Sequence, residues 1–184
     1  MQYVDDEYHH VFNRGAHKNR IFYSADNYLH CIRLFNKYSN IYNVSVLCFC
    51  LMPNHYHFIL RQNKNGSIAR FLQTTFNAYT QALNKQRGMR GTLFESRAKG
   101  IPVENERHML QLIRYIHLNP VTAKLVERAG SWKFSDYRNW ISSTGDPELR
   151  KMFFHDAKEY AIFVEDYHHE REMEVLSKYL FKED

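Results

Sequence analysis

The chain has 184 residues, of which 44% are hydrophobic, so it is long enough to bury the core of one domain. It carries a net charge of +5 and only three cysteines, too few for a disulfide framework, so we expect a reduced, cytoplasmic protein. No apolar run approaches the roughly 20 residues that cross a bilayer, and the N-terminus lacks the basic start and apolar run of a secretory signal.

Basic residues are concentrated in the first part of the chain. Residues 1–100 contain 13 Lys and Arg against 5 Asp and Glu, whereas residues 101–184 contain 12 against 15. No acidic residue occurs between Asp26 and Glu95. A surface that is basic over this interval would attract a polyanion and neutralise phosphates, which favours nucleic acid as a partner. The alternative is a solvated basic face without a partner.

The spacing of apolar residues predicts seven elements before residue 120. Ser24 and Ser67 are typical helix N-caps, Gly100 interrupts a strand pattern, and Pro120 is expected to end the last helix. In chain order the predicted elements are a strand at 8–14, a helix at 25–39, strands at 41–51 and 55–60, a helix at 68–86, a strand at 92–103 and a helix at 105–118.

This order of elements predicts an α+β fold of the ferredoxin-like, split βαβ type, in which an antiparallel sheet carries helices on one face. Beyond about residue 125 we expect a C-terminal helical extension. Its last 30 residues hold 9 acidic and 4 basic side chains, so the extension is acidic. An acidic segment of this kind is a candidate cover for the basic surface.

Two histidines lie two positions apart in the segment LMPNHYHFIL. Because side chains alternate along a strand, His55 and His57 should point to the same side, about 6.6 Å apart along the strand, and Tyr56 to the other. Two imidazoles so placed can converge on one metal ion. The alternative is a pair of polar positions on the solvated face of the strand.

Two cysteines precede these histidines and allow a zinc hypothesis. Cys48 and Cys50 would complete a C-x-C-x4-H-x-H set with His55 and His57. The ligand types suit zinc, but the spacing differs from the usual C-x2–4-C knuckle. Both cysteines lie in an apolar run, which favours small buried hydrophobic residues instead.

The predicted helix at 105–118 carries a polar pair beside its apolar stripe. Tyr115 and Asn119 are four residues apart and therefore lie on the same side of the helix. A pair on the flank of the stripe can line a cleft between helix and sheet. Tyr79 and Tyr137 are alternative candidates for a chemical role, although Tyr79 fits the apolar face of its own helix.

The segments MPNHYHFIL, GTLFESRAKGIPV and RYIHLNPVTAKLV together resemble the REP-associated tyrosine transposases, which are HUH single-tyrosine transposases of bacterial insertion sequences. The resemblance extends from about Tyr8 to Trp140 and is most specific from Gly91 to Val126. It implies a catalytic domain at residues 1–140, an acidic helical extension at 141–184, and a bacterial protein.

The resemblance also implies roles for individual residues. The His-hydrophobic-His motif of the family corresponds to His55-Tyr56-His57, and its nucleophilic tyrosine corresponds to Tyr115. It implies a nuclease and strand transferase that acts on single-stranded DNA through a covalent 5′-phosphotyrosine, with Mg²⁺ or Mn²⁺ held by the two histidines and Asn119. The two histidines should then face the helix that carries Tyr115. The alternative is a catalytically silent protein of this family that binds DNA hairpins.

The partner implied by the resemblance is single-stranded DNA that contains a hairpin. Both a monomer and a homodimer fit the family, and no membrane and no small-molecule cofactor are expected. Contacts with phosphates are expected from basic residues in the loop after the first strand and around the fourth strand. These residues are Arg14, Lys18, Arg20, Arg87, Arg90, Arg97 and Lys99.

Overall fold

An antiparallel sheet of four strands organises the first part of the chain. The computed structural model describes residues 3–142 and 147–166, and the chain divides into two compact units, Met1–Asn105 and Glu106–Asp184. The elements of the first unit are β1 (Tyr8–Arg14), α1 (Ala25–Ile41), β2 (Val44–Met52), β3 (His55–Gln62), α2 (Ile68–Arg87) and β4 (Lys99–Pro102). The described elements of the second unit are α3 (Glu106–Thr122), α4 (Tyr137–Ile141), α5 (Glu148–Phe153) and α6 (Ala157–Glu165).

The strand order β2-β3-β1-β4 confirms the predicted split βαβ arrangement. Every neighbouring pair in the sheet is antiparallel. The α+β class and the element order β-α-β-β-α-β-α were therefore both predicted correctly.

Among the described residues, no helix is both long enough and apolar enough to cross a bilayer.

The two helices of the first unit pack on one face of the sheet, as predicted. The ring of Phe35 in α1 meets the edge of Phe58 in β3, with centroids 5.4 Å apart. Phe76 in α2 stacks on Tyr56 of β3 at 4.2 Å and an interplanar angle of 2°. Tyr56 and Phe58 are two residues apart and share a face, so this aromatic layer forms the core between sheet and helices.

Polar side chains define where these helices begin. The side-chain oxygen of Asn27 accepts hydrogen bonds from the backbone N–H groups of Tyr23 and Ser24, at 3.1 and 3.2 Å. Ser67 caps α2, because its hydroxyl oxygen accepts from the backbone N–H of Arg70. Both predicted N-cap positions are thus confirmed.

The prediction of a strand over 92–103 was wrong in its extent. The strand β4 comprises only Lys99–Pro102, and Phe94 makes an isolated bridge to Gly15. Between this bridge and β4, the side-chain amide of Asn13 donates a hydrogen bond to the backbone carbonyl of Ser96 at 3.0 Å. Gly100 is paired within the strand rather than breaking it.

The prediction that Pro120 ends the third helix was also wrong, because α3 runs to Thr122. Proline removes one backbone donor, but its fixed φ is compatible with a helix. Pro120 lies two residues before the last helical position, so little of the helix depends on the missing bond. The backbone N–H of Ala123 still bonds to the carbonyl of Asn119, at 2.9 Å.

The described helices of the second unit are tied together by a buried polar network around His117. The hydroxyl of Tyr160 in α6 forms a hydrogen bond with Nδ1 of His117 in α3. On the other side of the ring, His117 Nε2 is 2.9 Å from Asp136 Oδ1, and Trp140 Nε1 donates to Asp136 Oδ2 at 2.8 Å. The network fixes α4 and α6 against α3.

The predicted boundary between a catalytic domain at residues 1–140 and an acidic helical extension at residues 141–184 stays a prediction.

Candidate functional site

The candidate site begins with the face of the sheet that lies opposite α1 and α2, which we call the histidine face. His57 in β3 is paired with Phe12 in β1 and with Cys50 in β2. Residues directly opposite each other in an antiparallel sheet project to the same side. The same rule places His55, paired with Arg14, on this face.

Both histidines of the motif lie on the histidine face, as predicted. Their ring centroids are 5.0 Å apart, with the ring planes at 82°. Tyr56 points to the opposite face, into the aromatic core beneath α2. His57 is buried and His55 is half-buried. Strand alternation has therefore placed two imidazoles side by side at the start of β3.

Each of these imidazoles uses Nδ1 for a contact with a neighbouring side chain. His55 Nδ1 is 2.7 Å from Oδ1 of Asn54, and His57 Nδ1 is 3.1 Å from Nε2 of His10. Metal-bound histidines usually engage their second ring nitrogen in this way, which orients the ring. The contacts direct any ligand role to Nε2 on both rings.

The environment of His57 keeps its imidazole neutral. Burial is the main cause that holds the pKa of His57 well below its usual value, and the nearby imidazoles of His55 and His10 lower it further. A metal ion binds the neutral form of histidine, because the ligand atom must carry a lone pair. The donor set therefore fits a divalent cation, although a hard ion such as Mg²⁺ also requires oxygen ligands.

The two cysteines of β2 lie in the interior of the protein. Cys48 and Cys50 are fully buried, and Cys50 Sγ lies 3.7 Å from Met52 Sδ. Within the described residues, no group of three or more ligand atoms within 4.8 Å of one another combines these cysteines with His55 or His57. The zinc hypothesis built on these four residues is thus not supported.

Tyr115 and Asn119 lie one turn apart on α3. Both side chains are buried, with 3% and 8% of their surface exposed. The predicted apolar stripe of the same helix is confirmed, since its four members are buried. These are Met109, Leu112, Ile113 and Ile116. The position of Tyr115 relative to the histidines stays a prediction.

Two of the predicted DNA-binding residues lie beside the histidines. Arg14 ends β1 opposite His55, and its guanidinium Nε is 2.6 Å from a carboxylate oxygen of Glu95. Lys18 lies in a 3-10 turn after β1, where its backbone carbonyl accepts a hydrogen bond from the side-chain amide of Asn54. The end of the sheet that carries His55 is therefore rimmed by basic side chains.

The other predicted DNA-binding residues are exposed and belong to the first unit. Lys99 is paired with Phe12 and so projects from the histidine face. The guanidinium of Arg87 lies 3.7 Å from the ring centroid of Tyr23, a cation–π contact. Arg97 lines a cavity of about 840 Å³ on the opposite side of the sheet. The remaining two, Arg20 and Arg90, lie in exposed loops.

Sequence reasoning missed three residues that contact the predicted site. They are His10 and Asn54, which contact the two imidazoles, and Glu95, which pairs with Arg14. The adjacent histidines in YHHVFNR were a signal, because alternation must turn one of them to each face. The register between β1 and β3 decides which of the two histidines contacts His57. The spacing of residues along the chain does not predict this register.

Residues 3–119 match the family described as IS200-like transposases. Among solved structures, the fold is similar to that of a REP-associated tyrosine transposase bound to a REP hairpin, with a TM-score of 0.68 and 14% identity over 80% of this chain and 86% of the other. A candidate transposase from Deinococcus radiodurans R1 gives a TM-score of 0.44 and 16% identity, over 63% of this chain and 92% of the other. No curated protein matches this chain significantly.

Proposed function

The chain belongs to the IS200-like transposase family, and we propose that it cleaves and rejoins single-stranded DNA through a covalent link to Tyr115. The observation that carries this proposal is the pair of imidazoles, His55 and His57, side by side on one face of β3 in a member of a transposase family. The hairpin DNA bound by a relative of similar fold supports a hairpin-containing substrate.

In the proposed reaction, the phenolic oxygen of Tyr115 attacks a phosphorus of the DNA backbone. A bond forms between the Tyr115 oxygen and phosphorus, and the bond between phosphorus and the 3′-oxygen of the preceding nucleotide breaks. The tyrosine loses its proton, and the leaving oxygen takes up a proton to become a 3′-hydroxyl. Because the covalent link conserves the phosphodiester, a 3′-hydroxyl can attack it and rejoin the strand without ATP.

The proposed ligands of a divalent ion are His55, His57 and Asn119. The histidines offer Nε2, and Asn119 offers a side-chain oxygen, the atom type that Mg²⁺ and Mn²⁺ prefer. When bound, such an ion polarises the scissile phosphate and offsets the negative charge that develops on it. In the absence of metal, Arg14 and Lys18 can still attract the DNA backbone to the basic rim.

The proposal is tested by incubating the full chain with a panel of hairpin oligonucleotides and Mg²⁺ or Mn²⁺, then resolving covalent protein–DNA adducts on a denaturing gel. Tyr115→Phe should form no adduct, because it lacks the attacking oxygen. The matched control is Tyr137→Phe, since within the described residues the buried Tyr137 hydroxyl has no hydrogen-bond partner. The control should form adducts as the wild type does.

Two results would change the assignment. An adduct with Tyr115→Phe would mean that another residue is the nucleophile. The wild type could instead bind hairpins without forming any adduct, and His55→Ala and His57→Ala could leave that binding unchanged. These two results together would identify the chain as a catalytically silent hairpin-binding protein.

A further inference from the structure

The contacts at Nδ1 of the two motif histidines come from residues outside the motif pattern. Asn54 approaches His55, and His10, from the neighbouring strand β1, approaches His57. An imidazole that binds a cation through Nε2 must carry its proton on Nδ1. The question for each ring is therefore whether the neighbour accepts a hydrogen bond or donates one.

Asn54 acts as an acceptor toward His55. Its side-chain nitrogen donates to the backbone carbonyl of Lys18 at 3.3 Å, which turns Oδ1 toward His55. An amide oxygen can only accept, so the 2.7 Å contact requires a proton on Nδ1 of His55. Asn54 is held in turn by its backbone, whose carbonyl accepts from the N–H of Gly15 at 2.8 Å.

The closure of the loop after β1 depends on the absence of a side chain at Gly15. A Cβ at Gly15 would lie 2.1 Å from the backbone oxygen of Asn19. The loop after β1 is therefore closed tightly beneath Asn54, which fixes the position of the acceptor beside His55.

The contact between His10 and His57 has two solutions. If His10 donates from Nε2, the proton of neutral His57 lies on Nε2 and blocks metal binding there. If His57 donates from Nδ1, His10 accepts, and His57 keeps its lone pair on Nε2. Both rings are fully buried and nearly parallel, with centroids 5.2 Å apart and planes at 19°, so neither can turn freely.

We propose that His10 is a positioning residue that accepts a hydrogen bond from His57 Nδ1, as Asn54 accepts one from His55, so that both motif histidines present Nε2 to a divalent cation. His10 is not itself a ligand to the same ion, because its Nε2 accepts from His57 and its Nδ1 then carries the proton of the neutral ring. This inference rests on the metal site of the proposed function. It adds two positioning residues that set the tautomers of that site.

The test measures Mn²⁺ binding to the full chain without DNA, by the electron paramagnetic resonance signal of free Mn²⁺. His10→Leu removes the acceptor and should weaken Mn²⁺ binding about 10- to 100-fold, the usual effect of losing such a partner. His10→Gln keeps an acceptor oxygen and should recover most of the affinity. His9→Leu is the matched control, because His9 is the next residue of β1, equally buried, on the other face.

A second measurement reads the tautomer of His57 directly in the wild type, from long-range ¹H–¹⁵N correlations of the metal-free protein. If His10 accepts from His57, the proton of His57 lies on Nδ1. Because this measurement uses the wild type, it tests the role of His10 even if His10→Leu does not fold. A proton on Nε2, or equal Mn²⁺ affinity in folded His10→Leu, overturns the inference. Failure of the wild type to bind Mn²⁺ instead overturns the metal site of the proposed function.

Discussion

Neighbouring residues of one strand meet opposite environments in this sheet, and β1 shows it with two adjacent histidines. His10 contacts His57 on the histidine face, whereas His9 lies on the other face against the edge of Tyr3. Burial lowers the pKa of His9, although the backbone and the carboxylate of Glu7 oppose the shift. Two identical side chains thus differ in role because the strand alternates.

His9 gives the first prediction, which concerns stability against pH. Its pKa in the folded chain lies below the unfolded value of about 6.5, so stability is full above that value and falls as the pH drops below it. The loss is at most about 1.4 kcal/mol per pH unit for this one proton. Urea unfolding between pH 7.5 and 5.5 should therefore show a shallower decline for His9→Leu. Parallel curves for the variant and the wild type would contradict this.

The second prediction at this scale concerns the ion pair between Arg14 and Glu95. Glu95 offsets the charge of a side chain that we expect to contact phosphate. Glu95→Gln should raise affinity for a single-stranded hairpin a few-fold at low salt, since an exposed pair is worth up to about 1 kcal/mol. Fluorescence anisotropy with a labelled hairpin measures this change.

Glu7→Gln serves as the control for that measurement. It makes the same change of charge next to the opposite end of β1, roughly 20 Å along the strand from Arg14. An equal increase in hairpin affinity for both variants would indicate an effect of net charge alone. It would contradict a specific role of the Glu95–Arg14 ion pair.

At the scale of elements, the second unit depends on the network that links α6 to α3. Tyr160→Phe should lower the free energy of unfolding by about 1–3 kcal/mol, because His117 Nδ1 loses its buried partner. Tyr137→Phe removes a buried hydroxyl that has no partner among the described residues, so its effect should be much smaller. Chemical denaturation of both variants tests the difference, and equal losses would show that the Tyr160 hydrogen bond contributes little.

The elements also show how far the sequence could predict this fold. The spacing of apolar residues, every second position in strands and every 3.6 positions in helices, was sufficient to predict the order of the elements. This spacing arises because one face of each strand or helix is buried. The prediction failed at β4, where an edge strand of four residues accommodates Gly100 and Pro102 through hydrogen bonds on one side only. It failed again at Pro120, since a proline near the end of a helix costs only one donor.

The candidate site was predictable in part for a related reason. The shared face of His55 and His57 follows from alternation within one strand. The contacts of His10 and Asn54 depend on strand register and on the closure of the loop at Gly15, which are properties of the folded sheet. Such contacts between distant parts of a chain leave no periodic signal.

At the scale of the whole molecule, the charge is divided between a basic first part and an acidic end. A protein that contacts several phosphates releases counterions, so its affinity for DNA should fall steeply with salt. The acidic residues that end the chain add a repulsive or competing charge. Residues 167–184, which lie outside the described part of the structure, contain five acidic and three basic side chains.

The last prediction concerns these acidic side chains. Replacing Glu170, Glu172, Glu174, Glu183 and Asp184 by their amides keeps the chain length and leaves α6, with Tyr160, intact. If the acidic end competes with DNA for the basic surface, the variant should bind a hairpin more tightly at low salt. The gain should shrink at about 1 M salt, where the Debye length is about 3 Å. Anisotropy titrations at both salt concentrations measure this, and equal affinity of variant and wild type at low salt would end the hypothesis of an inhibitory C-terminal segment.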